Sequence, residues 1–136
     1  MYTYNAIVER VVDGDTVDVN IDLGFKITMM KQRVRLMGID TPELRTRDLK
    51  EKECGYFVRD KLREKILNQI IIVKCLNFDK YGRLLVYIYP YNENMIIDDK
   101  QSYNQWLIDN KYALPYDGGT KKTPENWKIY FELKNK

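Results

Sequence analysis

The strongest constraint on the fold is a run of alternation that begins at Val17. Val17, Val19, Ile21 and Leu23 are apolar, and Asp18, Asn20 and Asp22 between them are polar. Successive side chains of a strand point to opposite faces, so a period of two predicts a half-buried strand with one wet face. Ala6 and Val8 ahead of it, with Val11 and Val12 as possible members, suggest a partner strand. Asp13-Gly14-Asp15-Thr16 separates the two runs, and Asp-Gly between such runs is a strong hairpin signal. A third strand is expected through Gln32-Arg33-Val34-Arg35-Leu36, with Val34 and Leu36 on one face and Arg35 on the other.

Thr41-Pro42 breaks the pattern. Residues 44–53 carry charges of both signs and read as an exposed, mobile loop. A helix is expected from about Gly55, with Phe57, Val58, Leu62 and Ile66 sharing a face at three- and four-residue spacings. Residues 70–76 are too β-branched and too short for a helix and read as a strand. Residues 84–89 read as another, after the turn Asp79-Lys80-Tyr81-Gly82-Arg83. Trp106, Leu107 and Ile108 belong to a helix of about ten residues ending near Lys111. Thr123-Pro124-Glu125 offers an N-cap, a first-turn proline and an acid at the positive end of the dipole, opening a helix with Trp127, Tyr130 and Phe131 on its apolar side. The order strand-strand-strand-helix-strand-strand fits an α+β, mainly β fold, a small OB-type barrel with helices around it. A length of 136 residues suits one domain over residues 1–136 with one core.

Two absences narrow the chemistry. The chain has no histidine, which removes the usual neutral-pH base and the commonest zinc ligand, and with them the serine–histidine and cysteine–histidine hydrolases. Cys54 and Cys75 are the two cysteines; they cannot make a four-ligand zinc site and are expected to be buried reduced thiols, with a disulfide left open. A net charge of +3 is too mild to identify a nucleic-acid partner, so phosphate binding requires local clustering. No segment approaches the ~18 apolar residues of a membrane span. The first ten residues lack the basic start and apolar stretch of a signal peptide, so an intracellular location is expected, an inference that removal of a leader would undo.

Chemistry-bearing residues gather at strand ends and turns. Asp13 and Asp15 bracket Gly14, Asp40, Thr41 and Glu43 follow the third strand, and Lys80, Tyr81 and Arg83 surround Gly82. Taken singly, each is ordinary: Asp-Gly-Asp is usually a turn, Asp40-Thr41-Pro42-Glu43 a loop or helix entry, Lys80-Tyr81-Gly82-Arg83 a solvated hairpin tip. Without histidine, phosphodiester cleavage needs a hard cation on oxygen ligands, bidentate arginines for the developing charge, and a glutamate for the water. These residues could supply each.

Together, Val12-Asp13-Gly14-Asp15-Thr16-Val17, Arg35-Leu36-Met37-Gly38-Ile39-Asp40-Thr41-Pro42-Glu43 and Asp79-Lys80-Tyr81-Gly82-Arg83-Leu84 resemble the three signature segments of the staphylococcal nuclease family, in the family's order. The resemblance implies a five-stranded OB-fold barrel with three helices and a single Ca2+ ion. It implies Asp15 and Asp40 as carboxylate ligands, with the Thr41 carbonyl as a third. Arg35 and Arg83 would clamp the scissile phosphate, and Glu43 would position or deprotonate the water. Lys80 and Tyr81 would meet a neighbouring phosphate, and Asp13 matches a family acid near the metal that does not touch it. Tyr116 matches a substrate-contacting tyrosine, with Tyr112 close enough to compete for that role.

The expected activity is a calcium-dependent endonuclease on DNA, RNA being left open, with little sequence preference and with 3′-phosphate and 5′-hydroxyl products. The expected partner is nucleic acid and the expected state a monomer. The competing reading is a non-catalytic OB-fold module that binds nucleic acid. A degenerate copy of that kind should lack some of Asp15, Arg35, Asp40, Glu43 and Arg83, and all five are present.

Overall fold

The computed structural model describes residues 2–116. Three strands follow one another as an antiparallel meander: β1 (Tyr2–Asp13), β2 (Thr16–Gly24) and β3 (Ile27–Leu36). After the short β4 (Ile39–Asp40) comes helix α1 (Leu49–Ile66), then the antiparallel pair β5 (Ile70–Phe78) and β6 (Leu84–Pro90). A 3₁₀ turn (Asp99–Gln101), helix α2 (Tyr103–Asp109) and β7 (Leu114–Pro115) complete the order.

β5 pairs antiparallel with β1 and β6 pairs parallel with β3, closing a five-stranded barrel in the order β1-β2-β3-β6-β5. This is the OB-type arrangement expected from the order of elements. Register shifts at Val8/Arg10 and Val11/Asp13 mark bulges in β1, which bend a strand enough to turn a barrel corner. The alternating residues fill the interior: Val17, Val19, Ile21, Val34, Leu36, Val73, Val86 and Ile88 are all essentially inaccessible. Leu23, at the end of the alternation, is exposed as β2 leaves the core for its hairpin.

Helix α1 differs from expectation at both its start and its face. It begins at Leu49, inside the stretch read as a mobile loop. The cause is Asp48, whose carboxylate accepts a hydrogen bond from the Glu51 N–H at 2.9 Å and caps the first turn. The buried face runs Glu51, Gly55, Val58, Leu62, Ile66. Phe57 lies off it, exposed, with its ring edge-on to Tyr112 at 5.7 Å. Helix α2 spans seven residues, shorter than expected, because the 3₁₀ turn ahead of it ends at the Ser102 N-cap. The predicted helix beginning at Thr123 lies outside the described residues.

Asn104 of α2 locks the helix to the barrel. Its buried amide donates to the carbonyls of Met37 (2.9 Å) and Val86 (3.2 Å) and accepts from the Ile88 N–H (3.0 Å). Every polar atom of a buried amide needs such a partner, and here the bonds fix where the chain emerges from β3. Cys54 and Cys75 are free thiols, half-buried instead of buried, and burial pushes both above the ordinary thiol range. No helix among the described residues is long and apolar enough to cross a membrane.

Candidate active site

The site begins at the turn between β1 and β2. The Asp13 carboxylate accepts from the Asp15 N–H at 3.1 Å, the local bond that makes Asp a turn residue. The turn also needs Gly14: a Cβ there would stand 2.6 Å from Val58 Cγ1 and 3.0 Å from Thr41 Cγ2. The glycine is thus a close-approach residue that lets the segment carrying Asp40 and Thr41, and helix α1, press against the segment carrying Asp13 and Asp15. Asp15, Asp40 and Thr41 are all buried.

Arg35 lies opposite Thr16 in the β2–β3 ladder. It is on the outer side of the strand, as the alternation requires, yet buried. Its Nη2 lies 3.2 Å from Asp15 Oδ2 and donates to the Ile39 carbonyl at 3.1 Å, while Nη1 donates to the Leu36 carbonyl. Thr16 Oγ1 donates to the other carboxylate oxygen of Asp15 at 3.1 Å. The guanidinium thereby ties three segments together with the planar fork that lysine lacks. Gly38, at φ +79°, provides the left-handed turn between β3 and β4, and its carbonyl accepts from the Tyr116 N–H at 2.9 Å.

Glu43 is seated on α1. A Cβ on Gly55 would meet the Glu43 carbonyl oxygen at 2.9 Å and Leu44 Cδ2 at 2.8 Å. One turn earlier, the buried Glu51 takes a hydrogen bond from the Glu43 backbone. Burial raises the Glu51 carboxyl above its usual range, and the charges of Glu43, Asp48 and Asp40 raise it further. Asp13 shows the same crowding: burial first, then the Asp15 charge, push its carboxyl up to about 7. Negative charge is therefore concentrated here beyond what Arg35 offsets.

Arg83 is held differently. Asp79 accepts from Arg83 Nε at 2.7 Å and from the Tyr81 and Arg83 N–H groups at 2.9 Å each. Burial would raise the Asp79 carboxyl, but these bonds and the Arg83 charge bring it below its usual value. Lys80 and Tyr81 stand exposed on the same turn, with Lys80 Nζ 5.3 Å and Arg83 Cζ 5.6 Å from the Tyr81 ring.

Arg35, Lys80, Tyr81, Arg83 and Tyr116 line one hollow of about 610 Å³. Tyr112 points elsewhere, stacking edge-on with Trp106 and Phe57. Glu43 lines an adjoining hollow that shares Tyr81 and Arg83 with the first. Asp15, Asp40 and Thr41 line neither and are buried, with Asp15 reaching the first hollow through Arg35 at 3.2 Å. Among the described residues, no three Asp, Glu, Cys or His side chains converge as a metal cage. The donors present still suit a hard cation, since two buried carboxylates and a backbone carbonyl are oxygen ligands in a region of excess negative charge.

Glu51, Gly55 and the anchoring role of Asp79 are not apparent in a linear reading. Asp48 three positions before Glu51 was the available signal for the first, as an N-cap spacing. A lone glycine inside a helical pattern was the signal for the second.

The chain belongs to the staphylococcal nuclease family: the family model described as "Staphylococcal nuclease homologue" matches residues 33–136. An uncharacterized protein of Methanocaldococcus jannaschii is 33% identical, over 83% of this chain and 59% of its own length. An uncharacterized endonuclease of Escherichia coli is 28% identical, over 81% of this chain and 60% of its own. A thermonuclease of Staphylococcus intermedius is 32% identical, over 61% of this chain and 47% of its own. The chain thus spans about three-fifths of the length of the first two relatives.

Proposed function

We propose that this protein is a calcium-dependent endonuclease that hydrolyses DNA with little sequence preference, RNA being left to experiment. The observation that carries the reading is the meeting of Arg35 and Arg83 in one hollow, with the buried Asp15 3.2 Å from Arg35 and Glu43 in the adjoining hollow. Two guanidinium groups from different elements can each offer a fork to the non-bridging oxygens of a phosphate. Glu43 either takes a proton from the attacking water or aligns that water by accepting its hydrogen bond. The water oxygen bonds to phosphorus as the bond from phosphorus to the 5′ oxygen breaks. That oxygen takes up a proton, leaving 3′-phosphate and 5′-hydroxyl ends. Lys80, Tyr81 and Tyr116 are assigned to the neighbouring nucleotide, by charge and by stacking.

Asp15, Asp40 and the Thr41 carbonyl would hold the calcium ion. When bound, the ion supplies Lewis-acid charge to the phosphate and water. Two carboxylates leave such an ion largely hydrated, so affinity should lie near ~10⁻⁴–10⁻³ M without substrate.

The test incubates plasmid and single-stranded DNA with the protein in calcium, in chelator, and beside the variant Glu43→Ala/Arg83→Ala. Degradation in calcium alone, lost in the variant, is expected. Equal degradation by the variant would overturn the reading, and binding with no degradation would leave a nucleic-acid-binding module in its place. A second readout is independent of turnover: calcium should raise the melting temperature of the native chain and not that of Asp40→Asn.

A further inference from the structure

The second hollow has a chemistry that the reaction does not explain. It measures about 990 Å³, larger than the hollow between Arg35 and Arg83, and is walled by the end of β1, the segment 43–47 and the first turns of α1. Arg10, Arg33, Arg45, Arg47, Lys52 and Arg59 line it together with Arg83, against Asp13 and Glu43 as the lining carboxylates. Seven cations over two carboxylates is a larger excess than the +3 of the entire chain. Three of those cations are neutralised locally: Arg33 lies 2.8 Å from Asp18, Arg59 lies 2.9 Å from Asp60, and Arg83 lies 2.7 Å from Asp79. Arg10, Arg45, Arg47 and Lys52 have no carboxylate within 4.0 Å among the described residues.

Like charges repel across a shared hollow, and among the described lining residues Asp13 and Glu43 are the carboxylates set against these four cations. Two exposed tyrosine rings complete the surface. Tyr81 stands on the ridge shared by the two hollows, and Tyr56 lies farther along with the Arg59 guanidinium 4.7 Å from its ring centre. Cations for phosphates interleaved with aromatic faces for bases is the composition of a nucleic-acid track.

We infer that this second hollow is a binding track for the polynucleotide strand beyond the scissile phosphate, and that it gives the protein a preference for long strands over short ones. The inference rests on the nuclease reading for which bond lies at the ridge, but not for the track itself. A strand crossing the Tyr81–Arg83 ridge occupies both hollows. Arg45, Arg47 and Lys52 line the second hollow and not the first, so a dinucleotide held in the first hollow leaves them without a phosphate.

The test is direct binding in chelator, where cleavage does not enter, with fluorescent single-stranded dT20 and dT2 as probes. Arg45→Ala/Arg47→Ala/Lys52→Ala is compared with the native chain and with Lys61→Ala/Lys65→Ala/Lys100→Ala, which removes the same charge elsewhere. The groove variant should lose roughly tenfold or more in dT20 affinity, and its salt slope should fall by about 2, as expected for three phosphate contacts on a single strand. The loss on dT2 should be smaller by far, and the remote variant should bind dT20 like the native chain. A single Arg47→Glu variant, with folding checked by its melting temperature, should move dT20 binding in the same direction.

Unchanged dT20 affinity and salt slope in the groove variant would overturn the track. So would an equal loss in the remote variant, or loss of binding to phosphatidylserine vesicles with dT20 binding intact. Retained track behaviour in a protein that cuts nothing would refute the nuclease reading alone. Cutting without the dT20 effect would refute the track alone.

Discussion

The two arginines assigned to one phosphate are anchored in opposite ways. Arg35 is 8% exposed and fixed by Asp15 and two carbonyls of its own strand and turn. The Arg83 side chain is 32% exposed and is held from its own turn, by the ion pair with Asp79 and by the Tyr81 ring. A buried cation whose partners come from several segments is part of the fold, because removing it strands a buried carboxylate. A turn cation tethered locally contributes little to folding and keeps freedom to follow a ligand. If both arginines clamp the phosphate as proposed, the same chemical group is structural and functional at one position, and chiefly functional at the other.

The largest effect expected is therefore unequal. Arg35→Ala and Arg83→Ala should each lower turnover by about 100–1000-fold. In chelator, however, Arg35→Ala should cost roughly 3–5 kcal/mol of stability by urea unfolding, while Arg83→Ala should cost below ~1 kcal/mol. Equal stability losses would erase the distinction. Lysine at either position keeps the charge but not the fork, so activity should remain depressed by orders of magnitude in Arg35→Lys and Arg83→Lys.

A smaller effect is expected where α1 supports Glu43. Gly55→Ala puts a methyl group 2.9 Å from the Glu43 carbonyl oxygen; such overpacking costs roughly 1–3 kcal/mol. Because it displaces the Glu43 backbone, kcat should fall more than KM rises. A fall in stability with kcat intact would show that the helix contributes packing and not positioning.

The smallest effect belongs to the exposed arginine's tether. Asp79→Asn retains an acceptor for Arg83 but loses the charge, and turnover should fall only a few-fold. Because the folded carboxyl is held below its usual value, its contribution to stability is present at neutral pH and lost as acid protonates it through that depressed value. Melting curves of native chain and Asp79→Asn should therefore differ slightly at pH 7 and converge in strong acid.

Much of this molecule was legible in order along the chain. The alternation from Val17 to Ile21 forecast the interior of β2, and Val34 and Leu36 faced inward as their period required. The motif residues could be named because their types and turns are local features. Failures arose where a distant partner decided the outcome. The charged stretch 44–53 concealed a capped helix start, since polarity alone does not distinguish a solvated loop from the outer face of a helix. Phe57 looked like core by spacing, but the Val58 face is the one that fits against Gly14.

The sequence by itself determined the alternation of β2 and the end of β3, the turns at Asp13–Asp15 and Asp79–Arg83, and which residue types are present in a chain without histidine. These follow from backbone periodicity and side-chain chemistry, which depend on near neighbours only. Tertiary structure decided that Gly14 admits Thr41, that Gly55 and Glu51 seat Glu43, and that Arg35 and Arg83 face one hollow while Arg10, Arg45, Arg47 and Lys52 gather in the next. Those juxtapositions arise only when β3 pairs with β6 and β1 with β5. Barrel closure brings together groups far apart in the chain, and no local pattern records how close they come.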